Sequence, residues 1–312
     1  MGHAHAHDHG HAHEHRHAPA SADRAFVVSV GLNLAFVVVE LVAGVLAHSM
    51  ALVADAGHNL GDVLGLALAW GAGWLARRKP SKLRTYGFRR ATILAALANA
   101  VLLLLATGGI AWESIHRIVS GGEVPVAGKT VILIAAAGVL VNGVSALVLR
   151  RGSHGDLNLR GAFLHLVADA AFSVGVALTG VVLVFRPWPL LDPIVGLVLS
   201  LVIVWSAWGL LRRSVNLALD AVPEGIDVDA VRAYLRTLEG VLEVHDLHIW
   251  AMSTTENALT AHLVMRTGSC EPRFLGDVCK ELHDRFGLEH ATLQVEAPEA
   301  PDPCRLAPED CL

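Results

Sequence analysis

Residues 51–75, ALVADAGHNLGDVLGLALAWGAGWL, contain no Lys or Arg, yet they carry Asp55, His58 and Asp62. Their length suits a helix crossing about 30 Å of hydrocarbon at about 1.5 Å per residue. Their polar residues do not, because an ionised carboxylate deep in a bilayer is costly unless something compensates it. The stretch therefore predicts a membrane helix that carries a site.

The rest of the chain repeats the apolar pattern. It has 312 residues, 54% hydrophobic and 17% charged, with a mean hydropathy of +0.51. Such values fit a polytopic membrane protein with a modest soluble part. The net charge of −5 gives no ground for a nucleic-acid partner. Gaps between basic residues delimit six spans, near 25–46, 51–75, 91–113, 130–149, 161–185 and 190–211. The turn AHSM (47–50) joins the first two, and RPWPLLDP (186–193) separates the last two. The loop RRKPSKLRTYGFRR (77–90) holds seven Lys or Arg, RRGSHGDLNLR (150–160) holds three, and Arg212 and Arg213 follow span six. The opposite connections carry only Arg117, Lys129 and Arg186. This asymmetry places both termini in the cytoplasm. No cleavable signal peptide is expected, since the first 24 residues are polar and His-rich. Abundant Ala, Val, Gly and Arg point to a GC-rich bacterial genome and so to a bacterial cytoplasmic (inner) membrane.

From Asp220 onward the pattern is soluble. IDVDAVRAYLRTLEG reads as a helix with Asp227 as N-cap and Gly240 just past its end, and EPRFLGDVCKELHDRFG as a second closed by Gly287. VLEVHDLHIWAM, NALTAHLVM and HATLQVE read as strands. The order αββαβ predicts an open sheet with two helices on one face, ferredoxin-like. Four segments result: a His-rich disordered cytosolic tail (1–23), a six-helix transmembrane domain (24–213), a cytosolic α+β domain (214–298) and a Pro- and Cys-containing tail (299–312). Four cysteines, at 270, 279, 304 and 311, follow no secreted-domain framework and read as cytosolic thiols, with a metal-binding option for Cys304 and Cys311.

His58 and Asp62 lie at i and i+4, and HLVAD (165–169) repeats that spacing in His165 and Asp169. Each pair presents an imidazole and a carboxylate on one helix face, and Asp55 shares the first of these faces. A single buried His or Asp often just packs or bonds to a neighbouring helix. Two identical pairs, in spans two and five, occupy equivalent places in the two three-helix halves, as a midplane site between repeats would. Together they offer four N/O ligands, the set of a tetrahedral Zn²⁺ site, with Cd²⁺ and Co²⁺ as poorer fits. Of the other polar groups in the spans, Asn33, Glu40, Asn99, Asn142 and Asp192 are expected mainly to bond between helices, and Glu113 to form a structural i,i+4 pair with Arg117 at the outer end of span three.

HSMALVADAGHNLGD, TYGFRRATILAALANA, HLVADAAFSVGV, LDPIVGLVLS and VHDLHIWAM resemble, in order and spacing, the zinc-transporting branch of the cation diffusion facilitator (CDF) family. The resemblance runs from about residue 24 to 296. It implies a homodimeric, proton-coupled transporter that moves divalent metal out of the cytosol by alternating access, with no enzymatic activity and no organic cofactor. It carries the transport site onto His58, Asp62, His165 and Asp169. Members with His in the span-two pair are mostly zinc-selective. It also carries regulatory zinc onto His248, His262 and Glu296, with His290 as a further candidate, and likens Cys304 and Cys311 to paired terminal cysteines. Two departures stand out. Ala91-Thr92 replaces a position where many relatives are acidic, and the loop between spans four and five lacks a His-rich insert. Eight of the chain's 18 His instead alternate from His3 to His17, reading as a metal-collecting tail and not as an engineered tag, which would be uninterrupted. Rival readings are an intramembrane metalloprotease, whose His-Glu-x-x-His motif is absent, a metal-sensing receptor and a passive channel.

Overall fold

In the computed structural model, residues 20–121, 125–150, 157–186, 188–266 and 272–298 are described. The apolar runs form six long helices: α1 (Ala20–Leu46), α2 (Met50–Ala76), α3 (Ala91–Val119), α4 (Gly128–Arg150), α5 (Leu157–Phe185) and α6 (Leu191–Ala218). Among the described residues, α3, α4, α5 and α6 are long and apolar enough to cross a membrane, and α1 adds a shorter apolar segment, Asn33–Leu46. α2 equals them in length but interrupts its apolar surface with Asp55, His58, Asn59 and Asp62. Leu105, Leu133, Trp112 and Trp205 stand exposed on the outer faces. A water-soluble protein rarely leaves so broad an apolar surface bare, whereas lipid covers it.

Ser49 starts α2. Its hydroxyl accepts the Leu52 N–H at 3.1 Å and donates to Asp192 of α6, whose second oxygen accepts the Met50 N–H. The helices sort into two groups. α2 packs against α1, α3 and α6, and α3 lies along α6, while α4 lies along α5. The two groups touch sparsely, in part where α2 meets α5. Gly128 and Gly180 let α4 and α5 approach closely, since a Cβ on Gly128 would sit 2.9 Å from the Gly180 carbonyl oxygen.

Two helices run past their expected ends. α3 continues to Val119, where Arg117 donates to Glu113 at 2.9 Å and to the His48 carbonyl at 2.7 Å. α6 continues to Ala218, because RRSVNLA contains no Gly or Pro to stop it before Asp220, at φ +58°, and Pro223.

The soluble part comprises α7 (Val228–Arg236), β1 (Val241–Ala251), β2 (Asn257–Met265), α8 (Pro272–Phe286) and β3 (His290–Glu296). Asp227 caps α7 through the N–H groups of Asp229 and Ala230, and Gly287, at φ +64°, follows α8. The helix α7 ends at Arg236, ahead of Gly240. The sheet order is β1-β2-β3, with β2 antiparallel to β1 and parallel to β3. Val231 and Leu235 of α7 and Val278 and Leu282 of α8 bury against Leu247, Ile249, Leu259 and Leu263, so both helices cover one sheet face. The other face carries the histidines. The α2–α3 loop reaches this domain through Arg89–Glu256 (2.8 Å) and Arg90–Asp220 (2.5 Å). Thr92, at the departure noted above, accepts the Thr254 N–H at 3.0 Å.

Candidate metal centres

The 3.6-residue turn sets His58 over Asp62 on α2 and His165 over Asp169 on α5, and the crossing of the two helices brings the pairs face to face. His58 Nε2 lies 3.8 Å from Asp62 and 3.4 Å from Asp169, and His165 Nε2 lies 3.3 Å from Asp62 and 3.6 Å from Asp169. Each imidazole thus reaches a carboxylate on both helices. The rings stand nearly perpendicular, centroids 6.1 Å apart, and Phe172 closes one side of His58 edge-on. Ligand atoms of His58, Asp62 and Asp169 all lie within 4.8 Å of one another, close enough for one ion to draw them together. Asp169 is buried, whereas His165 is half exposed to a cavity of about 600 Å³ that Asp62 and Asp169 also line. The cavity is lined by α1, α2, α3, α4 and α5, and its Gly65, Leu66, Ala69 and Asn99 lie on the halves of α2 and α3 next to the loop that touches the soluble domain. On the opposite side Ala47, Ala51, Leu52, Val131, Ala135 and Val176 pack into an apolar plug.

Beside the four residues, buried Glu40 accepts from Asn59 at 3.0 Å and buried Asp55 accepts from Ser173 at 2.9 Å. Glu40 and Asp192 thus make inter-helix hydrogen bonds, as expected of polar groups in spans, and Glu113 makes its i,i+4 pair.

A second cluster lies on the open sheet face. Ligand atoms of His245, His262 and Glu296 fall within 4.8 Å of one another. His262 Nδ1 is 3.0 Å and His245 Nε2 is 3.5 Å from the Glu296 carboxylate, with the two rings 5.2 Å apart. Neither ring nitrogen of partly buried His245 has a hydrogen-bond partner, which leaves a lone pair free to ligate. Sequence reasoning named His262 and Glu296 but paired them with His248 and passed over His245. The cause is a β-bulge. His245 pairs with His262 and His248 with Thr260, so β1 spends one extra residue there, and Asp246 takes φ +50°. The bulge turns His245 to the open face beside His262. His248, more than half exposed, instead contacts Asp246 at 2.8 Å, and Asp246 in turn lies 3.5 Å from His262. The signal was present in the spacing: Val244 and Leu247 both face the core, three residues apart where regular alternation allows two or four. His290 sits apart from the trio, at the far end of β3, edge-on to Tyr86 at 5.6 Å. Cys304, Cys311 and the alternating His3–His17 lie outside the described residues.

Residues 26–217 match the family model described as the cation efflux transmembrane domain. The chain belongs to the cation efflux family. Residues 223–298 of this cation efflux protein match a second model, the cation efflux protein cytoplasmic domain. It is 36% identical over 275 residues to the zinc transporter ZitB of Escherichia coli K12, covering 88% of this chain and 87% of that one. It is 34% identical over 275 residues to the cation efflux system protein CzcD of Alcaligenes sp. strain CT14, covering 88% and 86%. It is 32% identical over 266 residues to a Bacillus subtilis 168 protein named cadmium, cobalt and zinc/H(+)-K(+) antiporter, covering 84% and 85%. The chain is therefore an integral membrane transporter of cations, in a family of transporters and not of enzymes.

Proposed function

We propose that this cation efflux protein exports Zn²⁺ from the cytosol in exchange for protons, holding the ion between His58, Asp62, His165 and Asp169. Cd²⁺ and Co²⁺ are secondary cargo. The observation that carries this reading is the convergence of two His-x-x-x-Asp pairs where α2 meets α5. Two imidazoles and two carboxylates make a borderline-soft N₂O₂ set, suited to Zn²⁺ and lacking the sulfur that Cu(I) favours. The names of the bacterial relatives, which include zinc, cadmium and cobalt, agree.

The packing supports alternating access. Zn²⁺ enters through the cavity on the soluble-domain side and displaces protons from the His and Asp side chains, since ligands bind metal only when deprotonated. The α4–α5 pair then rocks against the other four helices about their sparse contacts, the apolar plug parts, and the site faces outward. Protons from that side return to the ligands and release the ion. The seven basic residues of the 77–90 loop support a cytoplasmic location for both termini, in a bacterial inner membrane.

Residues 24–213 transport, residues 214–298 bind regulatory Zn²⁺ and dimerise, residues 1–23 collect metal, and 299–312 form a tail. The soluble site is best composed of His245, His262 and Glu296, with Asp246 and His248 supporting it. Proteoliposomes with a pH gradient test the central part. Wild type should couple Zn²⁺ uptake to proton movement, and Asp62→Ala or Asp169→Ala should abolish both. Normal flux with both carboxylates removed, or zinc binding without uptake by wild type, contradicts the proposal.

A further inference from the structure

Asn33, Asn99 and Asn142 belong to three different helices, α1, α3 and α4, and all three line the cavity that ends at Asp62, His165 and Asp169. The expectation that such groups bond between helices does not hold for them. Among the described residues, none of the three hydrogen-bonds to a protein group. A carboxamide at membrane depth without a protein partner needs water, because lipid offers neither donor nor acceptor. At about 600 Å³ the cavity has room for an aquated ion, since each water claims about 30 Å³ of liquid. Gly65 of α2 preserves that room beside Asn99, where a Cβ would come within 2.8 Å of the carboxamide nitrogen.

We propose that Asn33, Asn99 and Asn142 form a hydrated antechamber, in which a divalent cation still carrying part of its water shell is held by outer-sphere hydrogen bonds before it reaches the four ligands. This rests on the transport reading above. Water bound to a divalent ion is a strengthened donor, and each carboxamide oxygen accepts from it. The three groups are neutral, so the stop they create is shallow. A carboxylate in their place would bind the ion directly and hinder its passage inward. The antechamber thus favours ions that keep their water tightly, and Zn²⁺, smaller than Cd²⁺, keeps it more tightly.

Zinc and cadmium transport by the full chain in proteoliposomes tests this with Asn99→Leu, Asn142→Leu, the double variant and the matching Ser variants. Leu matches Asn in size and removes the acceptor, whereas Ser keeps one. The KM for Zn²⁺ should rise about threefold in each Leu single variant and about tenfold in the double, with the change in KM and not in Vmax. The KM for Cd²⁺ should rise less, and the Ser variants should recover most of the loss. Unchanged KM for both metals overturns the antechamber, as does an equal loss of Vmax for both metals that Ser does not rescue. Absence of zinc flux in wild type overturns the transport reading itself, an outcome distinct from active wild type with indifferent Asn variants.

Discussion

Two clusters of imidazole and carboxylate stand in mechanically opposite settings. His58 and Asp62 face His165 and Asp169 across helices that touch sparsely. His245, His262 and Glu296 lie on adjacent strands tied by ladder hydrogen bonds over a packed core of Leu235, Leu259, Leu263 and Leu282. The donor chemistry is almost the same. What differs is whether the ligands can part: a small rotation of α5 separates the first set, while separating the second means breaking a sheet. A site that must release its ion belongs on the first scaffold, and a site that must keep it belongs on the second.

The largest effect expected from this contrast is in the membrane cluster. Asp169→Asn should lower zinc turnover in proteoliposomes by more than the about 100-fold that loss of a mere supporting group can cost. Turnover within a few-fold of wild type would break the contrast. Next, His245→Ala should weaken zinc binding at the sheet by more than about 100-fold, beyond what loss of a supporting group costs, measured by competition with a fluorescent chelator on a chain lacking residues 2–17, while transport at saturating zinc persists. His248→Ala should weaken the same binding less than about tenfold, because His248 acts through Asp246 and not on the ion. A larger loss from His248→Ala than from His245→Ala would reverse the assignment made from the bulge. The smallest effect belongs to the bridge between the two regions. Arg89 and Glu256 are each more than a third exposed, so Arg89→Ala should cost about 0.5 kcal/mol in the domain's thermal unfolding.

The membrane cluster was legible in the sequence because helical spacing is local: i and i+4 share a face wherever the helix goes, and one repeated motif sufficed to pair α2 with α5. The soluble cluster was only half legible. His262 and Glu296 come from the family resemblance, which names His248 with them, whereas His245 depends on one backbone residue, Asp246, leaving the regular conformation. Strict alternation back from Leu247 and Ile249 puts His245 in the core. α3 and α6 outrun their charge-defined ends for a related reason. A charge marks the end of a span in the sequence, yet Arg117 and Glu113 satisfy each other along the helix, and the helix runs on. The expected bonding of Asn33, Asn99 and Asn142 failed because the cavity between helices is a tertiary feature with no sequence spacing of its own.

The most direct test of the central claim is zinc K-edge X-ray absorption on the chain without residues 2–17 and with His245, His262 and Glu296 replaced by Ala. The account predicts one Zn²⁺ per chain, with two imidazole nitrogens and two carboxylate oxygens at about 2.0–2.2 Å. It also predicts that this signal vanishes in Asp62→Ala/Asp169→Ala. A sulfur ligand, or an unchanged zinc spectrum and stoichiometry in that double variant, would contradict it.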